Sequence, residues 1–285
     1  MRKASEVIAY FKDDIASVST NPIRDLRLLL GFVLDVEADK IFFHPELPVS
    51  KDQLAHFKEL LARARNHEPL SKIMGRKEFY SRNFITSADV LDPRPDTEIL
   101  IDLAKKYAPT LPQPLNILDL GVGSGCILVT LMLELGAFMD ETKISGTGVD
   151  LSEAALKIAQ KNCDQFSLHE RICLIQSDWF SNIPMDATFS LIVANPPYIE
   201  KECPLDPNVW KFDPHLALFG GHDGLECYRA IALKVRSFLK DGGLFMCEFG
   251  KGQRDAITEI FEKNDMIFKQ CVADFSGTDR VAIFA

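Results

Sequence analysis

Residues 115–135 read LNILDLGVGSGCILVTLMLEL. An apolar run ending on Asp119-Leu120, then alternating glycines, then an apolar stretch of helical length spells strand, tight loop and helix. Small residues let a ligand approach the backbone, and the helix N-terminus that follows presents free N–H groups. The stretch therefore predicts a nucleotide-like cofactor held against Gly121, Val122, Gly123, Ser124 and Gly125.

Downstream the alternation continues. Ile144 to Val149 reads as a second strand ending at Asp150, and Ser152 as the cap of a helix that turns Ala155, Ile158 and Ala159 inward. Ile172 to Ile175 is a third strand leading to Ser177-Asp178-Trp179, and Phe189 to Ala194 (FSLIVA) has the length and flanks of a buried parallel strand. The segment from Ile199 to Gly224 is too long for a simple strand-to-helix loop and is expected to join the site. Helices at Leu225 to Leu239 and Gln253 to Phe261, and strands at Leu244 to Phe249, Ile267 to Val272 and Val281 to Phe284, complete a doubly wound sheet.

The fourth strand runs into Asn195-Pro196-Pro197-Tyr198. In open α/β sheets ligands sit beyond the carboxyl ends of the strands, so Asn195 is expected at the site. Pro196 pushes Asn195 toward extended geometry, and neither proline donates to the ladder. The turn is stiff. The Asn195 side-chain oxygen and the Pro196 carbonyl give two acceptors facing one way, which suits a planar –NH2 group; Tyr198 adds a flat apolar face. An ordinary strand-ending turn is the alternative.

Upstream, residues 1 to about 70 read as helices only. Val7, Ile8, Phe11 and Ile15 form one helical stripe, and Asn21-Pro22 looks like the cap and first residue of a helix carrying Ile23, Leu26, Leu30 and Val33. A further helix begins at Ser50, with Gln53 completing a capping box and Leu54, Phe57, Leu60, Leu61 and Ala64 facing inward. Lys+Arg and Asp+Glu each number 11 over residues 1–75, so the acidic excess lies beyond, which supports a boundary near Gly75. Residues 76–91 read as a β-hairpin linker turning at Ser81-Arg82-Asn83. The division expected is 1–75, a helical bundle for recognition or docking or for completing the core; 76–91, the hairpin; and 92–285, the α/β domain. Within Pro93 to Glu98, acidic residues at a helix start complement the macrodipole. Arg94 between two prolines either approaches an acidic ligand group or forms a structural ion pair.

The whole chain narrows the class. With 285 residues, 47% of them apolar, it can bury a sizeable core. A formal net charge of -9 argues against direct nucleic-acid binding, which leaves a basic footprint. Seven cysteines without a C-x-x-C pair suggest reduced thiols, and six histidines form no metal-ligand spacing, so no metal is expected. Asp13 and Asp14 interrupt the N-terminal apolar stretch before a signal-peptide core could form, and no membrane span is read. A cytoplasmic monomer is the expectation.

Two details favour S-adenosylmethionine over a dinucleotide. The glycines fall at 121, 123 and 125, with Cys126 where the dinucleotide pattern wants its last glycine, and Asp119 precedes the loop. An anionic Asp119 would repel a pyrophosphate yet attract an ammonium or sulfonium. Asp150 is placed to accept from both ribose hydroxyls. Asp178 and Trp179 are placed to pair the adenine amine and pack its ring, with core filling the alternative for Trp179.

These residues carry a resemblance. D-x-G-x-G-x-G at 119–125, an acid at Asp150 and the Asn195 to Tyr198 turn resemble the class I S-adenosylmethionine-dependent amino-methyltransferases. More closely, the chain resembles the PrmC/HemK family of release factor glutamine methyltransferases, through His67-Glu68-Pro69, Phe79-Tyr80, Pro93 to Glu98, Pro214 with Ala217-Leu218, Gly220 to Leu225, Tyr228-Arg229, Glu248 to Gln253 and Gly277 to Val281. Asp92, where an apolar residue is usual, and Asp96, for the commoner Glu, are small departures. The resemblance implies a Rossmann-like, seven-stranded, mostly parallel sheet with a small N-terminal helical bundle. It also implies methyl transfer from S-adenosyl-L-methionine, leaving S-adenosyl-L-homocysteine, to the side-chain amide of the glutamine in the Gly-Gly-Gln motif of peptide chain release factors. In that reading Asn195, Pro196 and Tyr198 are catalytic, Asn195 also contacts the cofactor, and Pro197 and Arg94 join them in binding substrate. A ribosomal-protein glutamine methyltransferase, an adenine-N6 nucleic-acid methyltransferase and a non-catalytic binding module are the rivals. The acidic charge weighs against the nucleic-acid enzyme, and the intact motifs weigh against the module.

Overall fold

The computed structural model describes residues 1–285. Its backbone contacts divide the chain into two units, Met1–Arg76 with Asp206–Phe212, and Lys77–Leu205 with Asp213–Ala285.

The first unit is built on α1 (Ala4–Phe11), α2 (Pro22–Leu34), α3 (Ala38–Phe43), α4 (Lys51–Arg65) and α5 (Leu70–Met74). Asn21 caps α2 by accepting from the Arg24 N–H, with Pro22 at the first helical position. The capping box at Ser50 and Gln53 forms in both directions. Phe57, Leu26, Leu29 and Leu30 close the core, whereas Ile23, expected inward, is exposed. A two-residue ladder between β1 (Arg2–Lys3) and β2 (Pro48–Val49) departs from the all-helical reading, because two residues are too few to show a period.

In the second unit, β3 (Arg76–Phe79) and β4 (Arg82–Ile85) form the hairpin, but its turn is Tyr80-Ser81 and not Ser81-Arg82-Asn83. Both turn residues have positive φ, 49° and 59°, as a two-residue hairpin loop requires. Strain at the bulky Tyr80 is held from outside: its N–H donates to Glu98 Oε1 at 2.8 Å and its hydroxyl to Asp102 Oδ1 at 2.7 Å, both on α6 (Glu98–Tyr107). Arg82 lies in β4, paired with Glu134.

The main sheet contains β5 (Leu115–Leu120), β6 (Ile144–Asp150), β7 (Ile172–Gln176), β8 (Phe189–Ala194), β9 (Leu239–Glu248), β10 (Phe268–Ala273) and β11 (Asp279–Phe284), in the order β10-β11-β9-β8-β5-β6-β7. Only β11 runs against the others, so the sheet is seven-stranded and mostly parallel, as expected. α7 (Cys126–Gly136) and α8 (Glu153–Gln165) follow β5 and β6, α9 (Pro207–Phe212) lies in the long insert, and α10 (Glu226–Phe238) and α11 (Arg254–Glu262) flank the later strands. Two apolar layers cover the two faces. The strand residues Ile117, Leu191 and Met246 point to one layer and Leu118, Ile192 and Phe245 to the other, the alternation that a sheet buried on both sides imposes. β9 begins five residues before the expected Leu244, with Gly242 at φ 78° carrying an irregularity that apolar patterning does not reveal.

Candidate active site

β5 and β8 are neighbours at the centre of the sheet, and the strand order departs in opposite directions from them. Their carboxyl ends flank a crevice, and a cavity of about 320 Å³ opens there.

The glycine loop is pinned to β6. The Gly121 and Val122 N–H groups both donate to the Val149 carbonyl, at 2.9 and 2.8 Å, and the Gly123 N–H donates to Asp150 Oδ2 at 2.9 Å. Gly121, Gly123 and Gly125 all have positive φ. A Cβ on Gly125 would also lie 3.4 Å from Ala159 on α8, so glycine there serves both the turn and the packing of two helices. Asp150 Oδ1 accepts from the Ser152 N–H at 2.9 Å, leaving each carboxylate oxygen with lone pairs for a further donor. Burial raises its pKa.

Asp119 stands at the end of β5, fully buried, and neither carboxylate oxygen has a hydrogen-bond partner. Burial, and secondarily the charge of Asp150, pushes its pKa up to about 7. A buried orphan acid is costly unless a ligand completes it, and a cationic ligand group would do so. Asp119 does not itself reach the cavity, so its charge would act on such a group through space; with Asp150 and the glycine loop at the cavity wall, the set fits S-adenosylmethionine, whose ammonium and sulfonium are positive.

Trp179 has φ 48° and its carbonyl accepts from Ser177 Oγ at 2.8 Å. The ring stands above the glycine loop, 3.8 Å from where a Gly121 Cβ would be. Asp178 is exposed and lines the same cavity. Arg94 pairs with Asp213 of the insert at 3.0 Å and also lines the cavity. Asp96 and Glu98 do more than complement a helix dipole: Asp96 lies 3.4 Å from Arg280, and Glu98 holds the hairpin turn.

Asn195 and Pro197 line the cavity; Pro196 and Tyr198 do not, and neither do Asp119 and Gly125. Asn195 Nδ2 donates to Thr97 Oγ1 at 3.2 Å, and Thr97 donates to Glu248 Oε2 at 2.7 Å. Tyr198 packs toward Gly250, whose Cβ would come within 2.9 Å of Cδ2 of that ring, and its carbonyl accepts from Gln253 Nε2 at 3.0 Å. Thr97, Glu248 and Gln253 do not stand out as site residues in the sequence. The signal available for Thr97 is its place in the proline-rigidified segment; for Glu248, it is an acid directly after the apolar run Leu244 to Cys247.

Residues 6–75 match the PrmC N-terminal domain family and residues 78–211 the methyltransferase small domain family. The release factor glutamine methyltransferase of Agrobacterium fabrum is 37% identical to this chain, over 99% of the chain and 96% of that protein. The chain belongs to the release factor glutamine methyltransferase family. A second relative in this family, from Caulobacter vibrioides, is also 37% identical, over 92% of the chain and 89% of its own length. Among solved structures, a methyltransferase from Pyrococcus furiosus has a TM-score of 0.51 at 15% identity, covering 80% of this chain and 98% of that one. The N-terminal domain of human METTL16 in complex with SAH gives 0.51 at 15%, covering 80% and 83%. At such identities these structures establish the shared fold. As a member of this family the chain is an S-adenosylmethionine-dependent methyltransferase. No three His, Cys, Asp or Glu side chains group as a metal site, all seven cysteines are free, and no helix is long and apolar enough to cross a membrane.

Proposed function

We propose that this chain methylates the side-chain amide nitrogen of the glutamine in the Gly-Gly-Gln motif of peptide chain release factors, with S-adenosylmethionine as donor. When bound, the donor supplies a methyl group on a positively charged sulfur. Asp119 and Asp150, the glycine loop and Trp179 are the residues to hold it, with Asp178 and Ser124 at the edge of the same cavity.

The substrate amide is the difficult partner. Its nitrogen lone pair is delocalised, and no protein base could deprotonate it at neutral pH, so orientation has to lower the barrier; holding a reactant in a reactive pose can contribute up to roughly 7–11 kcal/mol. The Asn195 Oδ1 and the Pro196 carbonyl accept the two amide N–H bonds. As the nitrogen takes the methyl group and gains positive charge both acceptors strengthen, which is stabilisation specific to the transition state; the methylated nitrogen, now strongly acidic, then releases its surplus proton to water. Tyr198 and Pro197 confine the amide plane, and Arg94 receives the chain that carries it. The helical unit docks the body of the release factor.

The observation that carries this reading is the Asn195 amide, whose Nδ2 donates to Thr97 and whose oxygen is thereby left as its acceptor for a substrate. Incubating the purified chain with isotope-labelled donor and a release factor, then locating the label by mass spectrometry, tests it. Label on the glutamine of the Gly-Gly-Gln motif is the expected result; label elsewhere, or on other proteins alone, overturns it.

A further inference from the structure

Three residues from three distant parts of the chain converge at the substrate-binding turn, where Thr97 and Asn195 both line the cavity. Thr97 and Glu248 are each 2% exposed, and they meet Asn195 at the end of β8. Their hydrogen bonds all run one way. An ionised carboxylate only accepts, so Glu248 draws the Thr97 hydroxyl hydrogen to itself. The Thr97 oxygen can then show Asn195 nothing but lone pairs. Only the –NH2 side of the Asn195 amide fits against those lone pairs, and the carbonyl oxygen is forced to the other side.

We propose that Thr97 and Glu248 are positioning residues that set which way the Asn195 carboxamide faces, and thereby whether the site presents an acceptor or a donor to the substrate. An asparagine amide is nearly symmetric in shape, so packing alone would not choose between the two orientations, and the flipped one would meet the substrate –NH2 with another –NH2. The inference deepens the reading given above and rests on it for the identity of the substrate.

The arrangement is sensitive to the proton on Glu248. Groups facing it are Asp96 and Thr97 from the segment before α6, Asn195 and Tyr198 from the turn after β8, Arg280 from β11, Cys126 from α7 and Tyr228 from α10, whose hydroxyl donates to the Glu248 backbone carbonyl at 2.8 Å. Burial, helped by the charge of Asp96, pushes the pKa of Glu248 up to about 7, against the lowering effect of its hydrogen bonds with Thr97 and Asn195 and of Arg280; the Asn195 –NH2 is thus drawn to the carboxylate as well as to Thr97. Once protonated, the carboxyl can donate to Thr97, the hydroxyl hydrogen is free to turn toward Asn195, and the flipped amide is no longer excluded. Turnover should therefore fall as pH drops through the Glu248 pKa.

The test compares the full-length wild type with Glu248→Gln, Thr97→Val and Thr97→Ser, on a release factor. Thr97→Val and Glu248→Gln should lower kcat about ten- to a hundredfold, the scale of loss when the outer partner of an oriented ligand is removed. KM for the release factor and the donor Kd, measured by calorimetry, should stay within about threefold. Thr97→Ser keeps the hydroxyl and should recover most of kcat. The acid limb of the wild-type kcat profile, recorded over roughly pH 6–9 with the donor saturating so that its positive charge keeps Asp119 ionised, should be absent in Glu248→Gln. Unchanged kcat in Thr97→Val, or an acid limb that persists in Glu248→Gln, would overturn the proposal. A readout independent of turnover covers variants that fold poorly and a wild type inactive on this substrate. In ¹⁵N-labelled wild type the Asn195 side-chain NH2 resonances should move with pH through the Glu248 transition; resonances that stay fixed overturn the inference. Inactivity of the wild type itself would instead count against the substrate assignment.

Discussion

The carboxylate of Asp150 accepts a hydrogen bond from the Gly123 N–H at 2.9 Å, so the acid at the end of one strand holds the glycine loop that follows its neighbour. Its other oxygen starts the next helix through Ser152. A residue expected to bind the donor sugar is thus also the fastening of the loop. Asp150→Ala should raise the Kd for S-adenosylmethionine at least about tenfold, since hydrogen bonds to a charged group contribute about 1.5–3 kcal/mol each. Calorimetry measures this directly. An unchanged Kd would remove Asp150 from the cofactor site.

Asp119 gives a trade between stability and binding. Its folded pKa lies near 7, above the ordinary carboxylate value of 3.8. Between those values the folded protein binds more protons than the unfolded chain. This residue's contribution therefore makes stability fall as pH rises from about 4 to about 7, by up to about 1.4 kcal/mol for each pH unit. Asp119→Asn removes that loss. The Tm of the donor-free protein should rise more at pH 8 than at pH 5, while affinity for S-adenosylmethionine drops; a variant that binds the donor as well as wild type would show that the orphan acid serves no ligand.

Gly224 sits at φ 71°, and a Cβ there would lie 2.4 Å from the Tyr198 carbonyl and 2.8 Å from Gln253 Nε2. Backbone cannot give way as a flexible side chain would. Gly224→Ala should therefore push the turn after β8 out of place and lower kcat by at least about tenfold, a modest displacement of reacting groups being enough for such a loss. Donor affinity should hold, since the glycine loop is elsewhere. Equal losses in both would point to general disruption of the fold.

The helical unit has its own buried centre, where Phe57 is wholly inaccessible and its ring lies 5.7 Å from that of Phe11. Phe57→Ala should destabilise that unit by about 3–5 kcal/mol. If this unit docks the release factor, methylation of the whole protein should suffer far more than methylation of a short Gly-Gly-Gln peptide. Parallel losses on both substrates would argue against docking.

Much of the fold is legible in the sequence because it depends on local grammar. The run from Leu115 through Gly125 to Cys126 has one reasonable backbone path, and Asn21-Pro22 and Ser50 to Gln53 carry their caps in adjacent residues. The hairpin turn falls one residue earlier than its polar residues suggest, because Tyr80 is a poor candidate for positive φ on its own; Glu98 and Asp102, 18 and 22 positions away, make it tolerable. The same limit hides Thr97 and Glu248. They are separated by 151 residues, and nothing near either one indicates that the other exists. Arg94 stays open between ligand and ion pair for a like reason, Asp213 being 119 positions distant.

Whether the Asn195 side chain holds the substrate amide is tested most directly by single-turnover methylation of a release factor by wild type and Asn195→Ala, with the folding of both verified by thermal denaturation and the donor saturating. Loss of a transition-state hydrogen-bond partner in an enclosed site predicts a rate about a hundredfold or more below wild type. Equal rates from two folded, donor-saturated proteins would contradict it.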